Sequence, residues 1–189
     1  MFEIEIKEGH DCSSYFWIRP VRVEPKDKIT WKDVEEMEEE ISIEESDVEC
    51  FLAYFFYKHF DKELLYNKNR YEWSEDEFIT HFEWWLTDNF YTYERMRNML
   101  EDITQTALML KYDYDNPSLQ EVKKEFSVYY MCERNSEDYR DYQASLVSKA
   151  EVVRKNIGVV IDFYFRFVRR MYQMMRRNPD AFLISIEGP

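Results

Sequence analysis

The stretch VVRKNIGVVIDFYFRFVRRMYQMMRR, from Val152 to Arg177, decides the fold because its apolar residues follow the period of an amphipathic helix. Apolar side chains continue at steps of three and four on both sides of it: Tyr139, Tyr142, Leu146, Ala150, Val153, Ile157, Val160, Tyr164, Val168, Met171 and Met175. This spacing predicts a helix over 137–177. At 1.5 Å per residue it would span about 60 Å, longer than a domain of this size is wide. The helix therefore either kinks near Gly158, or one end projects and pairs with a partner, most simply a second copy.

Short strand-like segments stand at both ends of the chain. Residues 2–7 (FEIEIK) alternate apolar and charged, and residues 15–23 (YFWIRPVRV) form a second β-type run. Together they predict a β-hairpin over 2–23, with Pro20 at an edge or a bend because proline lacks an amide donor. The run AFLISIE at 181–187 predicts a C-terminal strand that pairs with this hairpin.

The region between these strands carries clear helix-start signals. Four Ser/Thr-x-x-Asp/Glu boxes precede apolar patterns, at Thr30–Asp33, Ser46–Glu49, Ser74–Glu77 and Ser118–Glu121. They predict helices at 31–41, 47–65, 75–111 and 118–133, in addition to 137–177. The third of these is expected to break between Asp88 and Thr92, with Thr92 capping its second part.

Length and composition fit a single α-rich domain. The chain has 189 residues, of which 45% are hydrophobic, and only 3 are Gly. We predict a predominantly α-helical α+β fold with antiparallel helices on a small sheet. Its parts are the hairpin at about 2–23, the helical body at 31–133, the long helix at 137–177 and the strand at 181–187. The 15 Tyr and 14 Phe favour a core built from rings over a ring-rich binding surface.

Charge is divided unequally along the chain. Residues 1–120 hold 13 Lys and Arg against 29 Asp and Glu, whereas residues 121–189 hold 12 against 10. The net charge of −14 disfavours binding to anionic lipid or to nucleic acid over most of the surface. Neither a membrane span nor a secretory signal is present, and three widely spaced cysteines (Cys12, Cys50 and Cys132) suit a reducing compartment. We therefore expect a cytoplasmic protein without a membrane partner.

Motifs that could support catalysis or metal binding are weak. His10-Asp11-Cys12 combines a base, an acid and a thiol, but sequence neighbours rarely point at one another as a nucleophile and its base must. Glu77 and His81 share a predicted helix face, and His59 could join them in a metal site, yet no second copy of the pair exists. The segment Asp113–Pro117 resembles a calcium loop but lacks its glycine, and reads better as a loop between helices. We expect a protein that is not an enzyme and has no cofactor or metal.

The acidic run from Asp33 to Glu49 is the densest charge in the chain. Three interpretations are open: a solvated helix face, a surface that lies against the chain's own arginines, or a surface that binds a basic partner. The third predicts an inhibitor, immunity-type or anti-defence protein that covers the cationic cleft of its target. The candidate partner-binding residues are Glu38, Glu39, Glu40, Glu44 and Glu45.

An arginine stripe on the long helix offers an alternative function. Its members are Arg166, Arg169, Arg170 and Arg177, with Phe163, Phe165, Phe167 and Tyr172 interleaved. Arginines and rings in this arrangement could hold phosphates and stack bases, which predicts a nucleic-acid-associated protein. The same arginines also complement the helix dipole and can form internal ion pairs, and we favour this second explanation.

Overall fold

The computed structural model describes residues 3–9, 15–23, 34–64, 67, 89–126, 151–181 and 183–188. The strands are β1 Lys7–Glu8, β2 Tyr15–Val23, β3 Val34–Glu36, β4 Ile41–Glu44, β5 Asn89–Thr92 and β6 Leu183–Glu187. The helices are α1 Glu45–Phe51, α2 Ala53–His59, α3 Tyr93–Tyr112, α4 Gln120–Glu125 and α5 Ile157–Arg177, with a 3₁₀ turn at Pro117–Leu119.

The strands form one antiparallel sheet in the order β1-β4-β2-β6-β5, and β3 pairs with β2. The predicted fold class, a helix-rich α+β protein with a small sheet, is confirmed. The predicted C-terminal strand is also confirmed, since β6 pairs with β2 from Trp17–Glu187 to Val21–Leu183. The two N-terminal strands share the sheet, but β4 lies between them, so they are not direct neighbours. Residues 3–6 keep the predicted alternation, with Ile4 buried and Glu3 and Glu5 exposed.

Pro20 lies in a strand that is paired on both sides, so its expected place at an edge is wrong. On one side of β2, β6 continues past Pro20. On the other side, the pairing with β4 ends at Ile18 and the pairing with β3 begins at Val21. The carbonyl of Pro20 accepts from the amide of Met37 in this gap. The backbone nitrogen and carbonyl of a strand residue point toward the same neighbouring strand. The N–H that Pro20 lacks would therefore point into this gap, where the hydrogen bonds between strands are already interrupted.

The helix predicted over 31–41 is wrong within the described residues, which place β3 at Val34–Glu36 and start β4 at Ile41. Glutamate favours helices in isolation, but strand pairing overrides this preference. Arg22 stands opposite Glu35 in the β2–β3 register, so opposite charges meet across the strands. Three consecutive residues of β4, from Ile41 to Ile43, are buried.

The helix predicted over 47–65 is divided and shorter. Leu52 separates α1 from α2, and α2 ends at His59. The predicted cap at Ser46 is wrong, because α1 begins at Glu45 and the Ser46 hydroxyl donates to the Glu44 carboxylate at 3.3 Å. The segment remains helical because its apolar residues are buried on both sides of the break.

Thr92 caps α3 as predicted, its hydroxyl accepting from the amide of Arg95 at 3.1 Å. Residues 89–92, however, form strand β5, and 75–88 lie outside the described residues. The next helical segment starts at Pro117 with Asn116 as its cap, two residues before the predicted Ser118. Residues 113–116 form the loop that was predicted for Asp113–Pro117, and Pro117 already belongs to the next helical turn.

The C-terminal helical region has a break at Asn156. Residues 151–155 are helical, Asn156 forms a turn, and α5 follows; residues 137–150 lie outside the described part. The break is two residues before Gly158, where a kink was expected. The Asn156 side-chain amide donates to the Val152 carbonyl at 2.8 Å, which satisfies an acceptor at the end of the first segment.

Aromatic rings supply many of the largest buried side chains of the core, together with Ile, Leu, Val and Met. Helix α5 contacts α3. Fully buried aromatic side chains come from α1, α2, β5 and α5, and they are Phe51, Phe55, Phe56, Tyr91, Phe163, Tyr164 and Phe167. Two buried hydroxyls have carbonyl partners, Tyr164 with Phe51 at 2.9 Å and Tyr91 with Phe56 at 2.8 Å. The predicted face of α5 is confirmed at Val160, Tyr164, Met171 and Met175, which are all buried.

Candidate protein-binding surface

Several glutamates in the first half of the acidic run pair with the chain's own arginines. Arg19 on β2 has a side chain only 14% exposed, and its guanidinium contacts Glu36 at 2.7 Å and Glu40 at 3.2 Å. It also forms a two-pronged hydrogen bond to Glu187 on β6. Glu40 itself is only 11% exposed. This cluster ties β2, the β3–β4 connection and the C-terminal strand together.

Glu39 belongs to a second internal ion-pair cluster. It accepts from Arg170 at 2.5 Å, Arg177 at 3.2 Å and the Asn178 amide at 2.7 Å. Burial alone would raise the pKa of Glu39, but these hydrogen bonds, with the charge of Arg170, lower it below its usual value. Arg170 also pairs with Glu8 at 2.5 Å, so α5 is held to the start of the sheet.

The second half of the run has a different electrostatic environment. Glu5 lies two residues before β1, whose pairing with β4 starts at Lys7 and Ser42, and Glu44 is the last residue of β4. Both glutamates are exposed, and the charges of both act on Asp47. Burial raises the pKa of Asp47 to about 7, with further contributions from the charges of Glu44 and Glu5.

We call the group Glu3, Glu5, Glu44, Glu45 and Asp47 the acidic edge. It joins the N-terminal extended segment, the end of β4 and the first turn of α1. Glu45 and Asp47 gain some stability from the positive end of the α1 dipole. The electrostatic potential at Asp47 is nevertheless negative, since the charges of nearby carboxylates raise the pKa of Asp47.

The five candidate partner-binding residues therefore fall into two groups. Glu39 and Glu40 are mostly buried in internal ion pairs, whereas Glu38 and Glu44 are exposed and Glu45 is half-buried. Sequence reasoning did not include Glu3, Glu5 and Asp47. The alternation of Glu3 and Glu5 with Ile4 and Ile6 was a signal that could have placed the first two on the solvent side.

The arginine stripe is also divided. Arg166 binds Asp162 at 2.6 Å and the Ile4 carbonyl at 2.8 Å, and Arg170 and Arg177 contact Glu39. Arg169 is exposed. Of the interleaved rings, Phe163 and Phe167 are in the core, while Phe165 and Tyr172 are 37% and 39% exposed. Most of the stripe thus serves internal pairing, which was the favoured interpretation.

An open cleft of about 620 Å³ borders the acidic edge. One wall is the extended segment from Glu3 to Lys7, and the other is formed by Val159, Asp162 and Arg166 of α5. Carboxylates, two cationic groups and aliphatic side chains alternate around it. Such a lining suits a peptide segment with charged and apolar side chains better than a single anion or metal.

The only described histidine, His59, has a structural ion-pair environment. Its Nε2 lies 3.0 Å from Oδ2 of Asp102, which also accepts from Lys58 at 2.6 Å. The hydrogen bond with His59 is the main cause of the lowered pKa of Asp102, and Asp102 raises the pKa of Lys58. Cys50 is buried, with its sulfur 3.5 Å from the Glu125 carbonyl. His10, Asp11, Cys12, Glu77, His81 and Cys132 lie outside the described residues.

Neither a metal cluster nor a membrane-spanning helix is found in the described part of the chain. No three His, Cys, Asp or Glu side chains among these residues converge as a metal site. None of the described helices is long and apolar enough to cross a bilayer. Comparisons with protein-family models, with curated proteins and with solved structures find no match to this chain.

Proposed function

We propose that this protein is a non-enzymatic, acidic binding module that covers a basic surface of a protein partner, in the manner of an inhibitor or immunity protein. The observation that carries the proposal is the acidic edge, where Glu5 and Glu44 are brought together near Asp47. Glu39 and Glu40, in the first half of the acidic run, instead contact arginines of the same chain. Lysines or arginines of a partner would neutralise the acidic edge.

Electrostatics also favours a protein partner over nucleic acid. A net charge of −14 steers the molecule toward cationic surfaces and away from phosphates. A nuclease or another nucleic-acid-handling enzyme presents such a surface at its substrate cleft. Covering that cleft would block access of its substrate without any chemistry by the acidic module.

The alternative, a nucleic-acid-associated protein using Arg166, Arg169, Arg170 and Arg177, has less support. Arg166, Arg170 and Arg177 already contact acceptors of the same chain. Binding phosphate through them would require breaking these ion pairs. Arg169 alone would provide a small contact surface for a polyanion.

The test begins with affinity capture from the native cell extract, with and without nuclease, to identify the partner. Binding of the purified partner is then measured by calorimetry for Glu5→Gln/Glu44→Gln/Asp47→Asn. Its matched control, Glu94→Gln/Glu101→Gln/Asp113→Asn, replaces exposed acids of the same types in and just after α3.

We expect the acidic-edge variant to bind at least about tenfold more weakly and with a shallower salt dependence, whereas the control retains most of the affinity. Equal affinity of the two variants would refute the assignment of this surface. Recovery that disappears on nuclease treatment would favour the nucleic-acid alternative instead.

A further inference from the structure

Helix α5 carries a second apolar stripe in addition to its core face. Ile161, Phe165, Val168 and Tyr172 follow one another at steps of four, three and four residues. Phe165 and Tyr172 are 37% and 39% exposed, whereas Ile161 and Val168 are partly buried and also pack against the core, so the stripe runs along the border of the core face. This is the heptad spacing at which a second helix packs along the first, at about 20°.

Charged residues border this stripe on one side, also at heptad spacing. Asp162 and Arg169 are exposed and lie seven residues apart, and Arg176 continues the row. Each of them comes directly after an apolar residue. In a coiled coil, residues at such flanking positions form salt bridges with the partner helix. An apolar centre with aromatic rings and an arginine-rich rim is typical of protein interfaces.

The arrangement is self-complementary when two such helices run antiparallel. Placing Phe165 against Val168 of a second copy automatically places Ile161 against its Tyr172, and the reverse pairs follow by symmetry. In the same register Asp162, which also pairs with Arg166 of its own chain at 2.6 Å, lies beside Arg169 of the other copy, so its carboxylate is shared between the two arginines. In a parallel arrangement the two rows of charged residues would lie on opposite sides of the interface and could not pair with each other.

We propose that the Ile161–Phe165–Val168–Tyr172 stripe of α5 joins two copies of this chain in an antiparallel, two-fold symmetric dimer with reciprocal Asp162–Arg169 ion pairs. Three turns of helix separate the first and last of these apolar residues, about 17 Å. A contact of this length is small, so the dimer is reversible. It does not depend on the acidic edge, and it brings the two copies together through the most arginine-rich part of the chain.

The experiment is sedimentation equilibrium of the full chain from low to high micromolar concentration, at about 0.15 M ionic strength, where screening limits the repulsion between two acidic molecules. We expect the mass to rise from 23.4 kDa toward twice that value. Phe165→Glu/Tyr172→Glu should remain monomeric. Tyr112→Glu changes a 75% exposed ring on α3 and should dimerise like the unmodified chain. Circular dichroism verifies that each variant is folded.

A charge-exchange experiment tests the register. Asp162→Arg and Arg169→Asp should each be monomeric alone, because like charges meet in the homodimer. An equimolar mixture should form a heterodimer, since both ion pairs are then restored, one with its original polarity and one reversed. A monomeric unmodified chain, dimers that persist in the Phe165/Tyr172 variant, or a mixture no more associated than its components would overturn the proposal. So would a monomer that binds a single-stranded oligonucleotide through Arg169 and Arg176.

Discussion

Replacing Asp47 with asparagine should stabilise the protein in a pH-dependent way. The carboxyl of Asp47 has a pKa of about 7 in the folded state, against 3.8 for an unperturbed aspartate. The folded state therefore retains a proton that the unfolded state has released. The resulting stability is present in full below pH 3.8 and is lost as the pH rises through about 7.

The magnitude follows from the shift. Each pKa unit corresponds to about 1.4 kcal/mol, so ionising Asp47 reduces the free energy of unfolding by up to about 4 kcal/mol. Solvent reaches the half-buried side chain and screens part of the repulsion, so we expect about 2–4 kcal/mol. An asparagine side chain at this position has the same shape and no charge. The variant should therefore match the unmodified protein near pH 4 and exceed its stability by this amount near pH 8.

The assay is urea unfolding followed by circular dichroism at several pH values. The pKa of Asp47 is measured directly from carbon-13 chemical shifts of the carboxyl group. Glu5→Gln and Glu44→Gln should each lower that pKa, whereas Glu94→Gln on the exposed side of α3 should leave it unchanged. Parallel stability profiles of the Asp47→Asn variant and the unmodified protein across this pH range would refute the reasoning.

Three further substitutions probe contacts elsewhere in the fold. Asn67→Ala removes a buried side chain that hydrogen-bonds the backbone N–H and C=O of one residue in the edge strand β5, and one further carbonyl. It should reduce the free energy of unfolding by about 3 kcal/mol in urea melts. Asn98→Ala, on the surface, should change that free energy little. Thr92→Ala removes the cap of α3 and should lose about 1 kcal/mol, with Thr92→Ser retaining most of the stability. Arg170→Met should destabilise by about 2 kcal/mol at pH 7. That loss should disappear in acid. The Glu39 carboxylate stabilises the folded state fully above its ordinary pKa of 4.5, and this stability is lost as the pH falls through the lowered pKa of Glu39 in the folded state.

Patterns with a local physical cause were predictable from the sequence. The bounds of β2 follow from a β-type run with clear ends, and the core face of α5 follows from helical periodicity. Thr92 was identifiable as a cap from the chemistry of one hydroxyl and the first-turn amides. These features depend on residues a few positions apart.

The conformation of the acidic run was not predictable in this way. Its glutamates favour a helix, whereas pairing with β2 makes two strands of it. The deciding partners are distant in sequence: Arg19 meets Glu36 and Glu40, and Arg170 meets Glu39. Hydrophobic alternation in Ile41-Ser42-Ile43 is a short-range signal for β4, but three residues are too few to distinguish a strand from a loop.

The same distance explains why the candidate surface was only partly predictable. Sequence reasoning identified the acidic run as one unit, but tertiary contacts divide it. Glu39 and Glu40 face arginines that come from α5 and β2. Glu44 faces the N-terminal segment, where Glu5 adds negative charge. Which half remains available to a partner depends on this folding and not on local charge density.

The most direct measurement of the central proposal is zero-length carbodiimide cross-linking of the captured complex, followed by mass spectrometry. This reagent joins a carboxylate to a lysine only when the two are in contact. The account predicts that cross-links to the partner concentrate on Glu5, Glu44 and Glu45. Cross-links concentrated on Glu94 and Glu101, or spread evenly over the exposed acids, would contradict it.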